Sequence, residues 1–196
     1  MDLSQKNIVN ILAITLLLAA LTQPIYTALY LGAPEIDRKP LWGFEGVLFT
    51  LMAAFGGAAL VMAKRYTLGF AAIAFSTLLN VIHVGVGLTQ FGPAGASAAE
   101  LGAFAGSVYA FSFFGYNAAK LLLGLAALDF GMGKMKSGGK VLGGLTALAG
   151  VIAILLNTYA VMFGRSVELL ARGAGFSGVV ATLLLALCLY SLKSDD

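Results

Sequence analysis

The sequence predicts an all-α integral membrane protein, a compact bundle of six transmembrane helices with both termini on the cytoplasmic side. Composition, the lengths of the apolar runs and the loop charges together predict this fold. The chain has 196 residues, of which 60% are hydrophobic and 11% are charged, and its mean hydropathy is +0.93. A soluble domain has roughly 25% charged residues. Too little polar surface remains to cover a globule in water, so membrane lipids are the expected solvent.

Six apolar runs are separated by short loops. A helix needs roughly 20 apolar residues to cross a bilayer, and five runs reach that length while the sixth is slightly short. The runs are 8–31, 42–63, 68–91, 101–130, 141–163 and 176–192. The first run lacks a small-x-small cleavage site, so we predict a retained helix rather than a signal peptide. The fourth is too long for an untilted span, and we expect it to tilt steeply or to begin along the surface. No loop can hold a soluble domain, so residues 1–196 are predicted to form a single membrane domain.

The charges in the loops predict the orientation. With the N-terminus inside, seven Lys and Arg residues fall on the inner side and four on the outer side. The inner set is Lys6, Lys64, Arg65, Lys134, Lys136, Lys140 and Lys193, and the outer set is Arg38, Lys39, Arg165 and Arg172. Positive residues concentrate in cytoplasmic loops. We therefore expect an N-in/C-in, multi-pass protein, and we expect it in a bacterial cytoplasmic (inner) membrane.

Several function classes lack the residues that they need. Cys188 is the single cysteine and His83 the single histidine. A disulfide, a CxxC pair and bis-histidine haem ligation within one chain are therefore excluded, and zinc binding is not expected. Neither a P-loop nor a Rossmann glycine pattern is present. The net charge of +3 comes from loop residues rather than from one basic face. We predict no metal, no cofactor and no nucleic-acid partner.

The third helix carries a polar stripe. Its members, spaced by 4, 3, 4 and 3 residues, are Ser76, Asn80, His83, Gly87 and Gln90. That spacing places them on one helical face, which must contact protein or water because polar groups avoid lipid. Two interpretations stay open. The stripe either bonds neighbouring helices, at roughly 0.6 kcal/mol per interaction, or lines a cavity.

The fourth helix carries the least expected residue of the chain, Lys120. It shares a stripe with Gly106, Tyr109, Phe113, Asn117 and Gly124. A charged lysine at the centre of a membrane helix costs about 2.5–3.5 kcal/mol. Lys120 could be neutral, or it could extend its ammonium to the inner interface. Alternatively it faces the interior beside Asn117, where it would bind an anion or carry a proton.

Other polar residues fall in the outer half of their helices. Glu45 lies near the outer end of the second helix, and Gln23 precedes Pro24, which kinks the first helix and frees a carbonyl. Asn157 and Tyr159 lie in the fifth. If the stripes converge, they line a cavity that opens outward and is closed inward by apolar residues. The candidate ligand-binding residues are Asn80, His83, Asn117, Lys120, Glu45, Asn157, Tyr159 and Gln23.

Residues 175–178 read Gly-Phe-Ser-Gly. This tetrapeptide resembles the nucleophile motif of rhomboid intramembrane proteases, whose core also has six helices. The resemblance implies a catalytic serine with a histidine from a later helix to take its proton. Here His83 precedes Ser177, so no catalytic residue is predicted, and we expect Ser177 to cap the sixth helix.

Three functions remain open. The first is a small transporter, channel or solute-binding membrane subunit, in which a small polar or anionic solute contacts Asn80, His83, Asn117 and Lys120. The second is an accessory subunit of a homo-oligomer or larger membrane complex, in which polar stripes serve packing. The third, which we favour least, is a membrane enzyme acting on a lipid or quinone headgroup. An enzyme is not the expectation.

Overall fold

The computed structural model describes residues 4–33, 35–164 and 167–192. Within these ranges it contains six helices that are long and apolar enough to cross a membrane. They are α1 (Gln5–Gly32), α2 (Lys39–Met62), α3 (Thr67–Ala96), α4 (Gly102–Lys136), α5 (Lys140–Phe163) and α6 (Glu168–Tyr190). The prediction of an all-helical protein with six helices suited to crossing a membrane is thereby confirmed, and it supports a multi-pass membrane protein.

Three helices extend well beyond one end of their apolar runs. α3 continues through Pro93 to Ala96, α4 continues to Lys136, and α6 begins at Glu168 rather than at residue 176. Hydropathy marks only the part of a helix suited to lipid, whereas backbone hydrogen bonds continue into the polar residues beyond it. At 1.5 Å per residue, the 35 residues of α4 extend over about 52 Å, well beyond the roughly 30 Å hydrocarbon core.

The orientation in the membrane stays a prediction. Lys193 and Arg165, two of the charges that predict it, lie outside the described residues, as does Pro34 of the first loop. We use "outer end" for the end of the bundle where segments 35–38 and 97–101, Gly164 and Val167 lie. The opposite end, formed by segments 63–66 and 137–139, is called the inner end.

Consecutive helices pack side by side, and α6 returns to α1 to close a ring. Contacts between paired residues show that neighbouring helices run antiparallel, because the residue numbers rise along one helix as they fall along the next. Such pairs are Thr22 with Glu45, Gly56 with Ala74, Gly69 with Asp129, His83 with Ser112, Gly131 with Ala147, and Asn157 with Ala174. α4 also packs against α6, in parallel, since Lys120 meets Gly178 and Phe130 meets Cys188.

α4 and α5 approach each other through glycine. A Cβ at Gly124 would lie 2.9 Å from the carbonyl oxygen of Gly150, and one at Gly131 would lie 2.5 Å from the backbone nitrogen of Ala147. Small residues allow membrane helices to pack backbone against backbone, where van der Waals contact replaces the hydrophobic effect. This seam fixes the rotation of α4, and with it the directions of Asn117 and Lys120.

The buried side chains differ between the two halves of the bundle. The large, fully buried apolar side chains lie at mid-depth or toward the inner end: Leu12, Leu16, Met52, Ile73, Leu123, Phe130, Leu185 and Leu189. Buried ionisable and amide side chains lie at mid-depth or toward the outer end: Glu45, Asn80, Asn117, Lys120 and Asn157. The inner half is therefore a packed apolar core, and the buried ionisable and amide groups lie between it and the outer end.

Candidate functional site

Lys120 lies inside the helix ring. Only 4% of it is exposed, and its aliphatic stem rests on α6, where a Cβ at Gly178 would lie 2.7 Å from its Cδ. The Nζ atom lies 5.3 Å from the centre of the Tyr116 ring. No hydrogen bond or ion pair joins Lys120 to another described residue. Within the described ranges, its ammonium is thus held by a cation–π contact with Tyr116 and a weak long-range attraction to Glu45.

Tyr116 covers Lys120 on the outer side. Its ring centre is 5.1 Å from that of His83 on α3, and its hydroxyl lies beside the α6 backbone, 3.7 Å from where a Cβ of Gly175 would stand. Tyr116 therefore reaches from α3 to α6 across the interior. The sequence analysis missed it, although its position four residues before Lys120 is the spacing that stacks side chains on one helical face.

Glu45 supplies the acidic group of this region. It is 4% exposed, and its Oε1 accepts hydrogen bonds from the Thr22 hydroxyl and from Nε2 of Gln23 at 2.7 Å. Glu45 and Lys120 interact electrostatically without forming an ion pair. Two donors on α1 thus hold the carboxylate, so it does not depend on the lysine. Thr22 was not among the predicted residues, because the register between α1 and α2 is invisible in the sequence.

The polar stripe of α3 bonds the neighbouring helix α4, which is one of its two interpretations, and the lining of a cavity stays a prediction. Ser76 donates to the carbonyl oxygen of Ala119 at 2.8 Å, and Nδ1 of His83 lies 2.8 Å from Oγ of Ser112. These contacts tie α3 to α4. His83 also interacts electrostatically with Lys120. Asn80, between them, is 1% exposed and its Nδ2 finds no hydrogen-bond partner within the described part of the chain. An unpaired buried donor costs about 1–3 kcal/mol.

The outer part of the same stripe serves packing and solvent contact. Gly87 accommodates Trp42, whose Cζ3 would lie 2.5 Å from a Cβ at that position. Trp42 in turn packs edge-on against Phe91, with ring centres 5.6 Å apart. Gln90 is exposed and donates only to its neighbour Thr89, at 3.3 Å. Neither Gly87 nor Gln90 therefore adds to the Lys120 region.

Three predicted residues lie elsewhere. Asn117 lines a lateral groove between α4 and α5. Nδ2 of Asn157 donates to the carbonyl oxygens of Ala153 at 2.8 Å and Ala174 at 3.2 Å, while its Oδ1 has no partner among the described residues. Tyr159 stacks on Phe163, with ring centres 4.9 Å apart. Direct contacts and electrostatic interactions thus link Gln23, Glu45, His83 and Lys120, and not all eight candidates.

The Gly-Phe-Ser-Gly tetrapeptide lies inside α6. α6 begins at Glu168, so the expectation that Ser177 caps this helix is wrong. Its hydroxyl instead donates to the carbonyl oxygen of Ala174 at 3.0 Å. Gly178 provides the space for the Lys120 stem. The motif therefore reflects packing against α4, and His83 bonds Ser112 rather than Ser177.

No protein-family model, curated protein or solved structure matches this chain. Within the described residues, no group of three or more His, Cys, Asp or Glu side chains is placed to hold a metal ion. The function is therefore argued from the geometry around Lys120. We call Lys120, Tyr116, His83, Glu45 and Asn80 the interior polar site; Asn80 belongs to it by its buried position on the α3 stripe, three residues before His83, and the other four by ring contacts and electrostatic interactions.

Proposed function

We propose that this protein is a small transporter, channel or solute-binding membrane subunit, and that the interior polar site binds a small polar or anionic solute. The observation that carries the proposal is Lys120, a buried lysine with no hydrogen-bond acceptor among the described residues. Burying a charge is costly unless it is paired and hydrogen-bonded. A solute that brings an acceptor removes this cost, so the site favours binding over remaining empty.

The groups around Lys120 favour a solute with carboxylate-like or carbonyl oxygens. A lysine ammonium provides three donors and no acceptor, and the unpaired Nδ2 of Asn80 adds another donor. Glu45 lies further away and is already held by α1, so it lowers the positive potential of the site without occupying the lysine. A small solute with one negative charge fits this balance better than a multiply charged one.

The N-in orientation and the bacterial cytoplasmic membrane belong to the same proposal. The basic residues at the inner end support them, since Lys64, Arg65, Lys134, Lys136 and Lys140 all lie in or beside loops there. The interior polar site would then open toward the outside. The apolar core beneath it would form the barrier to the cytoplasm.

An accessory subunit of a larger complex is the second candidate. It is supported by the contacts from Ser76 to Ala119 and from His83 to Ser112, which are the packing bonds expected of such a protein. This interpretation predicts that Lys120 supports assembly with a partner, and that water does not reach it.

Cysteine accessibility distinguishes the two candidates. Single cysteines replace Lys120, Asn80 and His83 in a Cys188→Ala background, and a water-soluble thiol reagent is applied from each side of sealed vesicles. Leu16→Cys, in the apolar core, and Gln90→Cys, exposed on α3, serve as unreactive and reactive controls. We expect all three site cysteines to react from the side that labels Gln90→Cys. Small monocarboxylates at millimolar concentration should protect the cysteines at positions 80 and 83, which keep Lys120, but not the cysteine that replaces Lys120.

Two outcomes contradict the proposal. If none of the three site cysteines reacts while Gln90→Cys does, water does not enter and the accessory role is favoured. If they react from the opposite side only, the apolar core is not the barrier and the predicted direction of access is wrong.

A further inference from the structure

A second site lies between α4 and α5, near the outer end. Here α5 ends at Phe163 while α4 continues outward to Gly102, and Gly164, just beyond α5, has a φ of +64°. The groove that remains has a volume of about 550 Å³. Small-molecule sites in proteins usually measure about 300–1,000 Å³. This groove is therefore large enough for a ligand.

The two walls of the groove differ in size. α4 contributes the rings of Tyr109, Phe111, Phe113 and Phe114, whereas the opposite wall consists of Ala160, Val161 and Gly164. Aromatic rings favour stacked or edge-on contact with another planar ring. The opposite wall carries no ring and only short side chains, so the groove has room for a flat apolar molecule against the α4 rings.

Asn117 is the polar group of the groove. It lies on the same stripe as Tyr109 and Phe113, eight and four residues further inward, and it is 6% exposed. Although it lines the groove, no hydrogen bond joins its side chain to another described residue. An amide has both donors and an acceptor, and leaving them unpaired in an apolar site costs free energy.

The entrance is apolar. Phe111 and Phe114, at the rim, are 58% and 51% exposed, and the described residues of the lining carry no charge. A water-soluble ion gains nothing from such a path, whereas a molecule dissolved in the lipid reaches it directly. Asn117, at the inner end, is positioned to meet the polar head of a ligand whose apolar part lies toward the rim.

We propose that this groove binds a neutral, lipid-soluble ring compound of the quinone class, with a ring oxygen hydrogen-bonded by Asn117. The ring lies between the aromatic side chains of α4 and Ala160, and the apolar tail leaves between Phe111 and Phe114 into lipid. The proposal does not depend on Lys120, which faces α6 and the interior.

The test measures binding of tritiated decylubiquinone to the full-length protein in phosphatidylcholine nanodiscs, with empty nanodiscs as background. Saturable binding is expected. Decylbenzene, which has the same tail but no ring oxygen, should compete about tenfold more weakly, because it leaves the Asn117 amide unpaired. This comparison changes the ligand alone, so it does not depend on a variant that folds.

Variants locate the binding. Ala160→Phe fills the groove and should weaken decylubiquinone binding by about tenfold or more, and Asn117→Leu by about tenfold. Leu155→Phe, which adds a ring to the exposed surface of α5, and Lys120→Met should leave it unchanged. Absence of saturable binding overturns the proposal. Equal competition by decylbenzene would also overturn it, because the groove would then bind acyl chains without using Asn117. Unchanged decylubiquinone binding by Ala160→Phe would overturn it as well.

Discussion

Replacing Lys120 with methionine should stabilise the fold while abolishing solute binding. A charged lysine deep in a membrane helix costs about 2.5–3.5 kcal/mol, and methionine has a similar length, so the stem contact with Gly178 is kept. The attraction to Glu45 and the cation–π contact with Tyr116 are lost, together at a cost of about 1–2 kcal/mol because no ion pair is formed. Glu45 keeps its donors on α1. The free energy of unfolding should therefore rise by about 1 kcal/mol, or about fivefold in the unfolding equilibrium constant.

The measurement is urea unfolding in mixed micelles, followed by far-UV circular dichroism. Lys6→Met, at the exposed start of α1, is the matched control and should change stability by less than about 0.5 kcal/mol. If Lys120 instead stabilised the fold, its removal would lower the free energy of unfolding. A loss of about 1 kcal/mol or more in Lys120→Met would refute the argument that this side chain is kept for binding.

Two further predictions concern the packing around the site. Glu45→Leu should lower the free energy of unfolding by about 1 kcal/mol, because it leaves Nε2 of Gln23 without its acceptor, whereas the Thr22 hydroxyl keeps the carbonyl oxygen of Ala19 at 2.8 Å; Glu45→Gln should lose less, and equal stability of the two variants would contradict this. Gly131→Ala should cost about 1–3 kcal/mol, because its Cβ meets the backbone of α5, whereas Gly85→Ala, which faces open space, should cost nothing. Thermal unfolding monitored by size-exclusion chromatography measures both, and an unchanged midpoint for Gly131→Ala would show that the α4–α5 seam can open.

The helices could be predicted from the sequence because each crosses an apolar solvent that admits little else. A run of about 20 apolar residues has no other stable conformation there, since every backbone polar group must be satisfied within the segment. The ends of the helices were less predictable. α6 begins eight residues before its apolar run, because Glu168 and Arg172 read as loop residues although they continue the same helix.

The sequence could predict which residues are candidates for the site, but it could not predict which of them lie together. Lys120, Glu45 and His83 were identified because an ionisable group within the membrane is costly wherever it points. Which helix each one faces depends on rotation, and rotation is set by contacts such as the Gly124–Gly150 approach, which involve residues far apart in the chain. The same seam directs Asn117 into the lateral groove and away from Lys120, although only three residues separate them.

The contact between Lys120 and Gly178 links two positions that are 58 residues apart in the chain. A side chain at 178 would occupy the space that the lysine stem fills, so the two positions share one fixed volume. Among relatives of this protein, a small residue at the position of Lys120 should therefore be accompanied by alanine or a larger residue at the position of Gly178. Wherever the lysine is kept, glycine should be kept opposite it. The two positions should therefore covary, although neither residue alone reveals the link.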